Sequence, residues 1–105
     1  MTGVVLAAAV AIEAAMTNGA AFLLSRQAED GHWSDPQMPA LTALPLWALT
    51  GAGAKGTEGA RRKAAEFVLS TQRPDGSWAN DNNRFWEADP VLCTSFAMIV
   101  LSLCR

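Results

Sequence analysis

The sequence predicts an all-α fold, a single domain over residues 1–105 built from two helix pairs in tandem. Three observations lead there. Half of the 105 residues are hydrophobic, and they gather in apolar stretches of helical length. Residues 20–35, AAFLLSRQAEDGHWSD, align with residues 65–80, AEFVLSTQRPDGSWAN, at an offset of 45, with eight of sixteen positions identical. Each copy carries an Asp-Gly turn between two apolar stretches. Repeat one covers about residues 5–50 and repeat two about 57–104.

The elements follow in order. Val4 to Ala15, rich in Ala, Val and Leu, is read as the first half of a helix in the folded body. Glu13 interrupts it short of the about 18 apolar residues that mark a membrane span. No Lys or Arg precedes Arg26, so the basic start of a signal peptide is missing. Ala40 to Leu49 is the second helix, stopped by Gly51 and Gly53, and Pro45 predicts a kink or a late start near Thr42. Glu58 to Thr71 is the third. Ala60, Ala64, Phe67, Val68 and Thr71 make its apolar face, and Glu58, Arg62 and Glu66 a charged ladder. The fourth, Val91 to Leu103, is introduced by Asp89 as N-cap and Pro90 at the first position. The second and fourth helices are apolar nearly all round, which predicts inner helices covered on almost every side. Laying Thr42 on Thr94 gives an offset of 52 and places a seven-residue insertion within residues 80–89 of the second repeat.

Composition narrows the function. Eight basic against ten acidic residues give a net charge of −2, which lacks the basic footprint of a nucleic-acid binder. Two cysteines make no disulfide framework, and no Cys/His cluster has zinc-ligand spacing, so neither metal nor cofactor is expected and the setting is a reducing, cytoplasmic one. Cys93 and Cys104 read as buried small hydrophobes, His32 as a surface residue beside Trp33, and Arg61, Arg62 and Lys63 as a solvated face.

The motif residues read as structural. Gln27 and Gln72 stand at helix ends, where free carbonyls suit a side-chain amide. Gly31 and Gly76 supply positive φ. Trp33 and Trp78 bury a large ring whose N–H needs a partner. The candidates for chemistry lie elsewhere. Glu87 and Asp89 are the closest carboxylate pair and sit beside Phe85 and Trp86 in the insertion. Acids and aromatic faces both favour cationic charge, so this loop could stabilise a carbocation above an apolar cavity. The competing reading makes Asp89 a helix cap and Glu87 a solvated acid.

FLLSRQAEDGHW and FVLSTQRPDGSW resemble the Gln-Trp repeats of the squalene cyclase and prenyltransferase superfamily, over about residues 5–103. That resemblance implies an α/α toroid, with helix pairs in two concentric rings around a cavity for isoprenoid chains. It assigns the Gln and Trp residues to the outer ring as staples. Trp47, Phe85, Trp86 and Phe96 become candidate pocket residues. The positions where cyclases carry an acidic DxDD motif read Met38, Pro39, Ala40, Leu41 before Thr42 and Pro90, Val91, Leu92, Cys93 before Thr94. No strong acid stands at either, so the expected role is a pocket wall rather than catalysis by this chain alone. Two repeats leave open faces, to be covered in a homo-oligomer or by the remainder of a longer chain. An isoprenoid ligand and peripheral membrane contact follow from the same resemblance. The alternative is a non-catalytic helical scaffold that binds protein.

Overall fold

The computed structural model describes residues 3–80 and 88–105, which hold four helices and no strand: α1 Gly3–Arg26, α2 Ala40–Ala52, α3 Glu58–Ser70 and α4 Pro90–Ser102. Helix α2 packs against each of the other three. Its Ala43, Leu46 and Leu49 form the centre of the core with Ala20, Trp33, Ala64 and Val100, while Val68, Trp78, Cys93 and Ala97 form a second cluster. Leu101 touches both clusters.

Helices α3 and α4 lie within one residue of their expected limits. Asp89 caps α4 by accepting from the N–H groups of Val91 at 3.0 Å and Leu92 at 3.3 Å, with Pro90 behind it where no N–H is required. On α3, Ala64 and Val68 are fully buried while Glu58, Arg62 and Glu66 face solvent, as the two-faced pattern requires. Helix α2 ends at Gly53, whose φ of 61° places it in the left-handed region.

Four expectations need correction. Helix α2 starts at Ala40, its expected first residue and not late near Thr42, and runs through Pro45 and past the expected stop at Gly51 to Ala52. Its opening turn is secured at Pro39, whose carbonyl accepts from Thr42 and Ala43 at 3.1 and 2.9 Å, so Pro45 removes one later donor without breaking the element. The inner helices are not covered all round. Leu44 and Trp47 on α2 and Val91, Leu92, Met98 and Ile99 on α4 are exposed, because the helices packed on α2 and α4 leave these side chains uncovered. Cys93 is buried as expected, but Cys104 is exposed, lying past the last turn of α4.

The fourth correction concerns α1. It is one continuous helix of 24 residues, about 36 Å long. Its side chains from Leu6 to Gly19 are all exposed, and burial begins at Ala20. The stretch from Leu6 to Ala15 therefore projects from the body instead of packing into it. The molecule measures 54 × 26 × 25 Å with a radius of gyration of 15.7 Å, against about 13 Å for a compact chain of this length. Residues Leu6–Arg26 are also long and apolar enough to cross a membrane, by length and composition, since a single Glu13 does not shorten the apolar run as far as its position implied.

Candidate functional site

The two Gln-to-Trp segments fold into the same hydrogen-bonded turn. In the first, Gln27 Nε2 donates to the Gly31 carbonyl at 3.1 Å; in the second, Gln72 Nε2 donates to the Gly76 carbonyl at 3.0 Å. Backbone bonds match too: Ala28 N–H to His32 and Arg73 N–H to Ser77, then Gly31 N–H to Ala28 and Gly76 N–H to Arg73. Both glycines take positive φ, 100° and 91°, which the Asp-Gly pair supplies without side-chain strain.

Each tryptophan is held by two hydrogen bonds. Trp33 Nε1 donates to the Leu23 carbonyl and Trp78 Nε1 to the Val68 carbonyl, both at 2.8 Å, so each ring lies back across the helix that precedes it. Each backbone N–H of the pair donates to a threonine hydroxyl on the following helix, Trp33 to Thr42 Oγ1 at 3.1 Å and Trp78 to Thr94 Oγ1 at 2.9 Å. Both rings are buried. These threonines escaped assignment as site residues, although a threonine at matching positions of the two most apolar helices was their signal. Turn, tryptophan and threonine together fix the angle between the helices of each pair.

The carboxylates of the turns serve structure. Asp30 accepts from the His32 N–H at 3.2 Å and pairs with its imidazole Nδ1. Asp75 accepts from the Ser77 N–H at 2.9 Å and its hydroxyl at 2.6 Å. The His32 side-chain bond, then its backbone N–H, holds Asp30 below the ordinary 3.8. The Ser77 hydroxyl, then its N–H, does the same for Asp75. A carboxyl depressed in the folded state contributes stability that is complete above its ordinary pKa and lost as pH falls through the folded value. The melting temperature is therefore expected to be level above about pH 5 and to fall in more acidic buffer, with Asp75→Asn flattening part of that fall. Thermal scans across a pH series check this.

His32 is not the plain surface residue expected. Its ring is partly covered and lies 5.3 Å from that of Phe67 on α3, tilted by 37°. The candidate pocket residues Trp47 and Phe96 meet edge to face, with centroids 5.7 Å apart, and join α2 to α4. Phe85, Trp86 and Glu87 lie outside the described residues. Asp89 is exposed, with its carboxylate engaged at the start of α4. A shallow groove of about 450 Å³ runs between α1 and the α2–α3 connection, with Glu13, Met16 and Ala20 on one side and Lys55 and Thr57 on the other. Among the described residues no cluster of His, Cys, Asp and Glu could hold a metal ion. Although Cys104 is exposed as a residue, partial desolvation of its thiol, which donates to the Val100 carbonyl, raises its pKa and favours the unreactive protonated form.

Among the described residues the arrangement thus consists of two rigid staples and exposed apolar side chains on the helices they orient, without a convergent set of polar groups. No family model, curated protein or solved structure matches the chain.

Proposed function

We propose that this chain is a helix-pair module of the α/α toroid type, resembling the squalene cyclase and prenyltransferase superfamily, which forms part of the wall of a hydrophobic pocket for an isoprenoid chain and does not catalyse alone. The observation that carries the reading is the exposed apolar surface of α2 and α4: Leu44 and Trp47 on one, Val91, Leu92, Met98 and Ile99 on the other. Large apolar side chains left exposed on two helices that pack together suit a binding face. In this reading α1 and α3 are outer helices, α2 and α4 inner ones. The identical bonding of the two turns supports a repeating relation between the pairs. The pairs that close the wall come from further copies or from the rest of a longer chain. A cytoplasmic protein touching the membrane, where such ligands reside, fits the apolar α1.

Organic extraction of the purified chain, followed by mass spectrometry, is expected to yield a polyprenyl or triterpene hydrocarbon. Trp47→Ala, which removes an exposed ring from the apolar surface, reduces that yield severalfold, and Phe96→Ala does so at some cost in packing. A chain free of hydrocarbon but bound to a protein partner would establish the second reading, a scaffold for protein binding. The apolar residues before Thr42 and Thr94, where an acid motif would stand, favour that alternative.

A further inference from the structure

The two turns are alike within and different outside. Gln27 uses both amide protons: besides the Gly31 bond, Nε2 donates to the Ala60 carbonyl on α3 at 2.9 Å. Gly31 is buried so closely against α3 that a Cβ there would lie 2.2 Å from the Lys63 carbonyl oxygen and 2.9 Å from the Ala64 nitrogen. Together with the His32–Phe67 ring contact, the first turn is a socket filled by α3. The second turn has the same shape and is open. Gln72 makes its inner bond to Gly76 and, among the described residues, gives its second amide proton to no carbonyl. A Cβ on Gly76 would meet nothing within 4 Å.

The element that would fill the open socket is present in the chain. Counting back 45 residues from α3 lands on α1, where Glu13, Ala15, Ala20, Phe22, Leu24 and Ser25 repeat Glu58, Ala60, Ala65, Phe67, Leu69 and Ser70. Ala15 then corresponds to Ala60, Asn18 to Lys63 and Gly19 to Ala64. On α3 this side is covered, with Ala64 fully buried; on α1 it is bare. Gly19 has open space around it, and Phe22 is 57% exposed with the Arg26 guanidinium 5.0 Å above its ring. The groove beside Lys55 uses Glu13, Met16, Thr17 and Ala20, which at 100° per residue lie on the opposite side of the helix from Ala15 and Asn18.

We propose that the open turn of one copy seats α1 of a second copy, with Gln72 donating to the Ala15 carbonyl and Gly76 resting against the backbone at Asn18 and Gly19. Each chain offers one empty socket and one unseated helix of the sequence type that the filled socket accepts, and this one-to-one complementarity makes a second copy the occupant. The contact is head to tail, so successive copies form a ring where the rotation closes. It deepens the toroid reading and rests on its repeating relation, but not on the ligand.

Light scattering of the full 105-residue chain, across a wide concentration series and without added hydrocarbon, is expected to give a mass that rises from monomer to a fixed multiple. Gly19→Leu leaves the helix intact, since Leu is the better helix former and a Cβ there meets nothing within 4 Å, but blocks the close approach and returns a monomer of unchanged helical circular dichroism. Gln72→Ala weakens association about fivefold to tenfold through the lost hydrogen bond. A folded wild-type monomer at every concentration would overturn the proposal and leave the socket to another occupant, such as a further helix pair of a longer polypeptide. Association undiminished by Gly19→Leu would overturn it as well. Intact association without extracted hydrocarbon would instead sink only the pocket reading.

Discussion

Replacing Trp33 with alanine is expected to destabilise the chain by about 3–5 kcal/mol, a large share of the roughly 5–15 kcal/mol available to a domain of this size. The ring is buried in the core cluster that Ala20, Ala43, Leu46, Leu49, Ala64 and Val100 contribute from four helices, so its loss opens a void in that core. The Leu23 carbonyl loses its indole donor at the same time. Trp33→Phe separates the two effects: it keeps most of the volume and is expected to cost about 1–3 kcal/mol for the unpaired polar group. Trp78→Ala is expected to cost less than Trp33→Ala, because its cluster of Val68, Cys93 and Ala97 is smaller. Urea titrations followed by circular dichroism give all three values. Equal midpoints for Trp33→Ala and wild type would contradict the placement of this ring at the centre of the core.

Gly31→Ala and Gly76→Ala form a second, internally controlled comparison. Both residues have φ near 100°, so alanine pays a backbone strain of about 1–2 kcal/mol at either position. Only at Gly31 does the added methyl also run into backbone, at 2.2 Å from the Lys63 oxygen, and backbone yields less readily than a side chain. Overpacking of that kind costs about 1–3 kcal/mol more. Gly31→Ala is therefore expected to be the more destabilising by that margin, measured at low protein concentration so that the second turn is unoccupied. Equal losses would mean that the first turn does not bear on α3.

The turns were legible in the sequence because their bonds are local. Gln27 reaches a carbonyl four residues on, and Trp33 one ten residues back, so spacing alone defines the geometry. The α4 cap at Asp89 and Pro90 and the two-faced α3 were legible for the same reason. What could not be read was whether an apolar side is covered, and by what. Met98 and Trp47 sit in stretches as apolar as those holding Leu46 and Val100, yet the former are exposed and the latter buried, a difference set by tertiary placement. Glu13 misled in the other direction: one carboxylate on a long helix needs only an exposed position, and α1 gives it one. Ser34, with φ of 61°, carries a left-handed backbone that no glycine announces. Phe85, Trp86 and Glu87, the aromatic and acidic candidates of the insertion, fall outside the described residues.

The return of each indole to a carbonyl ten residues earlier bears on how the chain acquires its shape. A helix end, a turn and a ring bonded to one another over ten residues close a short loop, whose entropic cost is small. Each staple can form before the two pairs have met. Topologies dominated by such near-neighbour closures belong to the fast end of the folding spectrum, in microseconds to milliseconds. The slow step in making a larger structure from this chain is then the encounter of finished pieces, so that its rate, unlike that of folding, depends on how much protein is present.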